Sequence, residues 1–536
     1  MPLLAQSVDT AWVRRYSRFG DRQDAASSIA VDGSGNIYVT GLSYDSLTSY
    51  DYATIKYYPN GDTAWLRRYN GPGNFSDYAY AIGLDGSGIV YVTGQSYGAG
   101  TSGDYATIKY LSNGDTAWVR RYNGTGNGLD GVTALALDLS GNIYVTGYSL
   151  GYLSYYDYAT IKYYPNGDTA WVRRYNGAAN GNDFAYAVAA DMYGNVYVTG
   201  SSEGSGTYTD YVTIKYDSNG DTVWVKRYNG PGNHDDIAYA IAVDSLGNIY
   251  VTGASEGTGT YSDYATIKYL ATGDTAWVRR YNGPGDSADE ASDLVIDNSG
   301  NIYVTGGSTG NLSQQDYATI KYHPNGDTAW GRRYNGPGNG DDVALAMTLD
   351  NSGNLYVTGQ SYGSGTYMDY ATLKYYPDGS TAWVERYNGP MNYWDDAYAV
   401  AVDSSGKVYV TGESYGIGTG LDYATIKYVQ PTDVRDENEG KGKPCKFALS
   451  QNYPNPFNQS TKIEFTLPNS RSVSLNIYDL LGRKVRTLVR ENLSAGQKSV
   501  FWDGKDNSGN EAVSGVYFYQ LRAGDFSESK KLILLK

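Results

Sequence analysis

Short runs of alternating apolar and polar residues, separated by turn residues, follow one another along most of the chain. AYAVAVD at 397–403, for example, is followed by SSGK and then by VYVTGES at 408–414. Period-two alternation rich in Val, Tyr and Thr predicts half-buried strands, and Gly, Asn, Asp and Pro between the runs predict tight turns. No segment has a convincing helical period, so we expect an all-β protein.

The pattern recurs every 53 residues, in eight copies, with no insertion between its landmarks. Each copy contains four predicted strands, of the types AYAVAVD, VYVTGES, DYATIKY and TAWVRRY. The copies are marked by Trp12, Trp65, Trp118, Trp171, Trp224, Trp277, Trp330 and Trp383. Four strands per unit at this period predict a β-propeller. A solenoid is the alternative, but it would need atypical polar caps at both ends.

The two ends of the repeat region carry complementary halves of one unit. The first predicted strand, at 10–16, is of the fourth type, whereas the last copy supplies only the first three types, between 397 and 428. We therefore predict that the N-terminal strand pairs with the last copy. This pairing would close a ring of eight blades over residues 9–428 and remove an open sheet edge.

The repeat resembles a bacterial β-propeller repeat family that is usually described as seven-bladed. The resemblance rests on IAVDGSGNIYVTG at 29–41 and its counterparts in the other copies. It implies a propeller fold and an extracellular setting, and it implies no activity. The count of eight departs from the family's nominal seven.

The composition changes after residue 428. Residues 429–446 are charged, free of aromatic residues and punctuated by Gly and Pro, which indicates a solvated linker. Residues 447–536 contain strand-like segments again, among them TKIEFTL, SVSLNIYD and GVYFYQL. Six or seven short strands in about 90 residues predict a small immunoglobulin-like sandwich.

This second domain resembles the C-terminal sorting domain of type IX secretion substrates. The matching motifs are LSQNYPNPFNQST at 449–461, IYDLLGRKVRTL at 477–488, WDGKDNSGN at 502–510, SGVYFYQL at 514–521 and the terminal KKLILLK. The resemblance implies export by the type IX machinery and a secreted or outer-membrane surface location in a Gram-negative bacterium. Residues 1–8 are interpreted as the tail of a truncated signal peptide, the alternative being an ordinary start.

Charge and composition narrow the partners. The net charge of −15 and the pI near 4.7 argue against nucleic-acid binding, which requires a basic face. No run of 18 apolar residues is present, so we expect no transmembrane helix. We expect a monomer.

The sequence predicts no enzyme. His234 and His323 have no partner suggested by spacing, the single Cys445 cannot form an intrachain disulfide, and no symmetry-breaking polar cluster is found near the channel. A carbohydrate-active or quinoprotein-like enzyme is kept as an alternative, since carboxylates are plentiful and NGDTAW loosely resembles a Trp-docking repeat. We expect no metal or other cofactor. Calcium is considered because 503–511 partly matches a calcium loop, although a hairpin turn is favoured.

One aspartate recurs immediately before the first predicted strand of every copy. Since a residue present in all copies serves all of them, turn capping is the favoured interpretation. The alternative places the eight carboxylates around one mouth of the channel, where mutual repulsion would raise their pKa values or favour a bound cation. The residues are Asp24, Asp77, Asp130, Asp183, Asp236, Asp289, Asp342 and Asp395.

Two sets of loops vary between the copies, and strand alternation puts both on the same face. Loops held by a rigid scaffold are the usual place for binding residues, and aromatic side chains between polar ones suit sugars or peptides. The candidate ligand-binding residues are Tyr393, Trp394, Tyr97, Tyr155, Tyr156, Tyr362 and Tyr415. The sequence thus predicts a binding or scaffold module, for which a structural surface-layer protein is the alternative.

Overall fold

The computed structural model describes residues 8–18, 22–311, 313–430, 448–449, 452, 455, 457, 460–467, 470–493, 496–524 and 526–534. The chain divides into two compact units, Met1–Pro431 and Thr432–Lys536. The interpretation of residues 1–7 as a signal remnant and of 431–446 as a linker falls outside the described residues. A search of the described helices for one long and apolar enough to cross a membrane finds none.

The first unit consists of eight antiparallel four-stranded sheets, one for each repeat. The N-terminal strand is β1 (Asp9–Tyr16). Sheet 1 contains β2 (Asp24–Val31), β3 (Ile37–Asp45), β4 (Ser49–Tyr57) and β5 (Thr63–Tyr69), and sheet 2 contains β6 (Asp77–Leu84), β7 (Val90–Tyr97), β8 (Gly103–Tyr110) and β9 (Thr116–Tyr122). Sheet 3 contains β10 (Asp130–Leu137), β11 (Ile143–Leu150), β12 (Tyr156–Tyr163) and β13 (Thr169–Tyr175), and sheet 4 contains β14 (Asp183–Ala190), β15 (Val196–Glu203), β16 (Thr209–Tyr216) and β17 (Thr222–Tyr228). Sheet 5 contains β18 (Asp236–Val243), β19 (Ile249–Glu256), β20 (Ser262–Tyr269) and β21 (Thr275–Tyr281), and sheet 6 contains β22 (Asp289–Ile296), β23 (Ile302–Thr309), β24 (Gln315–Tyr322) and β25 (Thr328–Tyr334). Sheet 7 contains β26 (Asp342–Leu349), β27 (Leu355–Tyr362), β28 (Met368–Tyr375) and β29 (Thr381–Tyr387). Sheet 8 contains β30 (Asp395–Val402), β31 (Val408–Gly416), β32 (Gly420–Val429) and the N-terminal strand β1.

Adjacent sheets pack through the recurring aromatic residues. Trp171 of sheet 3 lies between Tyr144 of its own sheet and Tyr216 of sheet 4, with ring centroids 6.1 and 5.9 Å apart. The Tyr158 hydroxyl donates to the Val212 carbonyl of sheet 4 at 3.2 Å. The Lys162 ammonium donates to the Ser218 carbonyl at 3.0 Å. These contacts recur around the unit, so the residues that are the same in every repeat form the interface between adjacent sheets.

A buried ion pair holds the strands of each sheet together. Arg174 contacts Asp157 at 2.6 Å and donates to the Ser149 carbonyl at 2.8 Å. It also reaches the Tyr122 hydroxyl of the preceding sheet at 3.2 Å. These recurring charged residues therefore hold the strands of each sheet together.

The eighth sheet is assembled from both ends of the repeat region. β1 pairs antiparallel with β32, from Asp9 opposite Val429 to Tyr16 opposite Tyr423. The Tyr423 hydroxyl donates to the Ala53 carbonyl of sheet 1 at 3.0 Å, which is the contact that Tyr158 makes between sheets 3 and 4. Each first strand also contacts the first strand of the next sheet, and β30 contacts β2 in the same way.

Each first strand contains one extra residue. In sheet 1 the register with β3 shifts between Ala26 and Ser28, so Ser27 has no opposite partner. The same shift occurs in the first strand of every other sheet. A bulge bends the strand and re-aims the unpaired side chain.

The second unit contains two sheets around one core. The first has the order β33 (Ala448–Leu449), β34 (Thr461–Leu467), β37 (Gly496–Trp502), and the second joins β36 (Lys484–Leu493), β35 (Arg471–Tyr478), β38 (Gly515–Ala523) and β39 (Phe526–Leu534). Trp502 is fully buried between them, against Phe457 and Tyr517. The arrangement is the immunoglobulin-like architecture predicted from the strand pattern.

The loop considered as a calcium site forms a turn. The Asp506 carboxylate accepts hydrogen bonds from the backbone N–H groups of Ser508 and Asn510 at 2.8 and 2.9 Å. Its oxygens therefore close the turn, as turn chemistry predicts.

Candidate functional site

The eight recurrent aspartates are buried at the first position of the first strands, where they fasten loops. In sheet 2, Asp77 accepts from the backbone N–H of Gly71 at 2.6 Å and of Tyr97 at 3.0 Å. Seven of the eight accept from the glycine six residues earlier, and Asp24 accepts from the Arg18 N–H at 3.1 Å. The favoured capping interpretation describes these contacts.

The pKa of every one of these eight carboxyls is raised, but mutual repulsion is not the cause. Burial is the largest contribution at each, and it raises the pKa of Asp77, Asp236 and Asp395 to about 6. None of the eight is solvent-exposed. Each carboxyl is enclosed by loops, so the alternative that mutual repulsion around a channel mouth raises these pKa values is wrong as to the cause, which is burial.

Five aromatic rings meet on the variable-loop side of sheets 7 and 8. The Tyr367 ring lies 4.7 Å from that of Tyr393 and 6.3 Å from that of Trp394, with which it is stacked. Tyr415 lies 4.9 Å from Tyr393, and Tyr362 lies 6.4 Å from Tyr367. We call Tyr362, Tyr367, Tyr393, Trp394 and Tyr415 the aromatic patch. Four of them are residues that the sequence singled out as ligand-binding candidates.

The patch is exposed and fixed at its base. Tyr367, Trp394 and Tyr393 keep 46%, 41% and 39% of their surface accessible. The Tyr415 backbone N–H donates to the Trp394 carbonyl at 3.2 Å, which joins the loop before β30 to the end of β31. Rings held in this way present apolar area with little conformational freedom left to lose on binding.

Three other predicted binding residues lie apart from the patch. Tyr97 contacts Phe75 with a centroid distance of 6.1 Å in sheet 2. Tyr156 packs between Tyr148 and Phe184 at 5.3 and 5.5 Å, and Tyr155 is exposed beside it. The seven candidates thus divide among four sheets and do not form one site.

A cavity of about 470 Å³ opens between the first strands and was not anticipated from the sequence. We call it the tyrosine cavity; its lining residues are Ser27, Tyr80, Val132, Thr133, Tyr148 and Tyr398. Ser27, Tyr80, Thr133 and Tyr398 are the bulged residues of sheets 1, 2, 3 and 8. The signal was available, since this position changes from copy to copy within an otherwise uniform strand.

A carboxylate pair lies next to this cavity. Asp396 of β30 is opposite Glu413 of β31, and both are less than a tenth exposed. The Tyr398 hydroxyl donates to one Glu413 oxygen at 2.9 Å, and the Gln23 amide donates to the other at 2.8 Å. The expectation that no symmetry-breaking polar cluster exists is therefore wrong. The two acids stand at strand positions occupied by Phe184 and Ser201 in sheet 4.

Both histidines are exposed, and neither belongs to the aromatic patch, the tyrosine cavity or the carboxylate pair. His234 contacts the Tyr208 ring at 5.1 Å, and the His323 Nδ1 lies 3.3 Å from the Asn301 side-chain oxygen. Within the part of the chain that the structure describes, no group of three or more His, Cys, Asp or Glu could hold a metal ion.

Comparison with known families identifies both types of domain. The model of the beta-propeller repeat matches residues 11–47, 117–153, 170–206, 223–259 and 276–313, and that of the FlgD Ig-like domain matches 452–525. The chain contains beta-propeller repeats and an Ig-like domain. No curated protein matches the sequence.

Solved structures with some likeness belong to proteins of different kinds. PorZ, a surface component of the type-IX secretion system of Porphyromonas gingivalis, is 15% identical over 95% of this chain and 74% of its own, with a TM-score of 0.33. A fungal alcohol oxidase is 12% identical over 99% of this chain and 100% of its own, with a TM-score of 0.40. The α-L-arabinofuranosidase of Fusarium graminearum is 11% identical over 57% of this chain and 94% of its own, with a TM-score of 0.34.

Proposed function

We propose that the first unit is a closed eight-bladed β-propeller that serves as a binding module, with the aromatic patch as its ligand site. Closure is supported by the pairing of β1 with β32 and by the contact of β30 with β2. The single observation behind the binding role is the convergence of five rings on one pair of sheets.

The chemistry of the patch favours a ligand with flat, partly apolar faces, such as the sugar rings of a glycan. Tyr367 and Trp394 are stacked with an interplanar angle of 17°, whereas Tyr393 stands edge-on to Tyr367 at 66°. This arrangement offers a face and an edge within one surface, and the Tyr hydroxyls add hydrogen-bonding groups at its rim. Exposed aromatic area of this kind on a soluble protein marks an interaction site.

The proposal is tested by a glycan-array screen followed by titration of the best oligosaccharide against variants of the full chain. We expect Tyr393→Ala combined with Trp394→Ala to weaken binding by about 100-fold, which is typical for removing two central aromatic anchors. Phe75→Ala is the matched control, because Phe75 occupies the position of Tyr393 in sheet 2 and contacts Tyr97 there. Equal losses in both variants, or none in the double variant, would overturn the assignment.

We further propose that the second unit acts as a type IX sorting domain and that the protein is secreted or displayed on the outer-membrane surface. The support is the set of motifs in residues 449–536 together with the Ig-like arrangement of the strands that carry them. Expression with and without residues 447–536 in a type IX-competent Gram-negative host tests this. We expect the truncated chain to stay inside the cell envelope, and its efficient export would contradict the proposal.

We propose that the protein binds its ligand without turnover. Asp396 and Glu413 are the acids that come nearest to a hydrolytic pair, yet both Glu413 oxygens accept protein hydrogen bonds. Both acids are also too buried to flank a glycosidic bond with room for an attacking water. Release of reducing sugar from the ligand found on the array would contradict this reading.

A further inference from the structure

The tyrosine cavity is shaped and lined like a site for a small molecule. Its volume of about 470 Å³ is within the range of ligand pockets. Three of its lining residues are tyrosines, supplied by sheets 2, 3 and 8 at Tyr80, Tyr148 and Tyr398. The faces of aromatic rings carry partial negative charge and attract cations.

The carboxylate pair adds negative charge behind the tyrosine wall. Glu413 is linked to the cavity directly, because the Tyr398 hydroxyl donates to it. Asp396 has 7% of its surface exposed, and its Oδ1 has no hydrogen-bond partner among the described residues. Burial first, and then the charges of Glu413 and Asp396, raise the pKa of the Tyr398 hydroxyl, so both acids lie close to that cavity residue.

The pair has no counter-ion within the part of the chain that the structure describes. Every other strongly buried acid of the sheets that we have discussed is either held by backbone N–H groups, as Asp77 is, or paired with arginine, as Asp157 is. Neither Asp396 nor Glu413 makes a salt bridge to a described residue. Buried carboxylates in this situation either take up a proton or bind a cation.

The surroundings favour an organic cation over a metal ion. Calcium takes six to eight oxygen ligands, and two acids with one phenol fall well short of that number. Aromatic walls contribute nothing to the coordination of a metal ion but bind the apolar, weakly hydrated surface of a substituted ammonium group.

We propose that the tyrosine cavity binds a small organic ammonium compound, whose positive charge lies against the tyrosine rings with the carboxylate pair behind Tyr398. The site is separate from the aromatic patch and does not depend on the function proposed for it. The ligand class comprises compounds that carry a quaternary or protonated ammonium group and are small enough to fit the cavity.

The test uses the full chain and two probes of equal shape, choline and its neutral carbon analogue 3,3-dimethylbutan-1-ol. Saturation-transfer NMR and calorimetric titration are expected to detect choline and to give at least about tenfold weaker binding for the neutral analogue. Equal binding of the two probes, or no binding of choline, would overturn the proposal. Displacement of choline by an equimolar amount of calcium would also overturn it, since the site would then prefer a metal.

Variants locate the site. Glu413→Gln retains an oxygen acceptor for Tyr398 and is expected to weaken choline binding about tenfold. Glu290→Gln is the matched control, because Glu290 is an exposed acid at the Asp396 position of sheet 6, and it should leave the affinity within about twofold. Equal effects of the two substitutions would contradict the assignment.

The role of the rings is tested at Tyr80. Tyr80→Phe keeps an aromatic face and should retain choline binding, whereas Tyr80→Leu, which keeps an apolar side chain without an aromatic face, should lose most of it. The thermal midpoint of each variant is measured alongside, so that loss of folding is recognised. If the folded Tyr80→Leu variant binds choline as the parent protein does, the aromatic contribution is refuted.

Discussion

Sheets 3 and 8 share one framework and differ beside the tyrosine cavity and in their loops. Asp130 and Asp395 accept from Gly124 and Gly389 at 2.7 and 2.6 Å, in the same positions of the two sheets. The ion pairs Arg174–Asp157 and Arg15–Asp422 measure 2.6 and 2.8 Å. The framework positions are buried and mutually paired, so each requires its partners unchanged.

The differences lie at strand positions close to the tyrosine cavity and in the loops. Where sheet 3 has Gly131 and Tyr148, sheet 8 has Asp396 and Glu413. Sheet 8 also carries the Tyr393–Trp394 pair in the loop that precedes it. A uniform frame therefore leaves a few positions free to vary, and these are the positions at which a ligand would be recognised.

Removing the N-terminal strand should have the largest effect, because only sheet 8 depends on a strand from the other end of the repeat region. A chain lacking residues 1–16 would leave the edge of β32 unpaired and Asp422 without Arg15. We expect loss of the soluble monomer to aggregates, measured by size-exclusion chromatography with light scattering. Adding a peptide of residues 9–16 should restore monomer and a scrambled peptide should not; a stable monomer without either would argue against a structural role for β1.

Breaking the ion pair in sheet 3 should have the second largest destabilising effect. Arg174→Ala leaves Asp157 buried without its partner and should lower the free energy of unfolding by about 3 kcal/mol, measured by denaturant titration. Arg483→Ala removes a mostly exposed ion pair with Asp479 and should cost less than about 1 kcal/mol. Similar losses at the two sites would show that burial is not what makes the framework pair important.

Neutralising Asp396 should stabilise the protein, and only at higher pH. Burial first, and then the charges of Glu413 and Asp395, raise the pKa of Asp396 from 3.8 to about 7. A raised carboxyl pKa favours the folded state fully below pH 4, and this contribution is lost as the pH rises to 7. Asp396→Asn should therefore raise the free energy of unfolding by up to about 4 kcal/mol at pH 8 and leave it unchanged at pH 4, as measured by denaturant titration at the two pH values. Asp62→Asn, at an exposed turn, is the control and should change neither.

The smallest expected effect is on the pH dependence of choline binding. Choline does not titrate, so a change in affinity must come from the protein groups around it. Ionisation of Asp396 beside Glu413, Asp395 and Tyr398 should strengthen binding a few-fold between pH 6 and pH 8. Calorimetric titration across this range should show a flat profile in Asp396→Asn, and a flat profile in the parent protein would remove Asp396 from the site.

Much of the architecture followed from local pattern. The period of the Trp residues and the alternation of the strands predicted eight four-stranded sheets, and the complementary ends predicted the pairing of β1 with β32. Asp157 and Arg174 could be recognised as framework because they recur in every copy. Repetition makes such inferences strong, since each copy is an independent instance of the same constraint.

The tyrosine cavity and the carboxylate pair did not follow, because they depend on register. From the alternation of apolar and polar residues alone, Ser27 is predicted to be an ordinary strand residue. Only the register shift between Ala26 and Ser28 turns its side chain out of the regular pattern. Asp396 and Glu413 are 17 residues apart in the sequence, and they became a pair only through the β30–β31 register. The burial of the recurrent aspartates was missed for a similar reason, since loop enclosure is not visible in a turn motif.

The divided eighth sheet also sets the order of events in folding. Arg15 and Asp422 are separated by 407 residues, whereas the corresponding pair in sheet 3 is separated by 17. The first seven sheets can each form from contiguous chain as soon as their residues are synthesised, but β1 must wait for the last repeat. Until then its apolar face and the edge of the growing array are unprotected. The pairing of β1 with β32, which completes sheet 8, is thus the step at which the nascent protein is most exposed to misassembly.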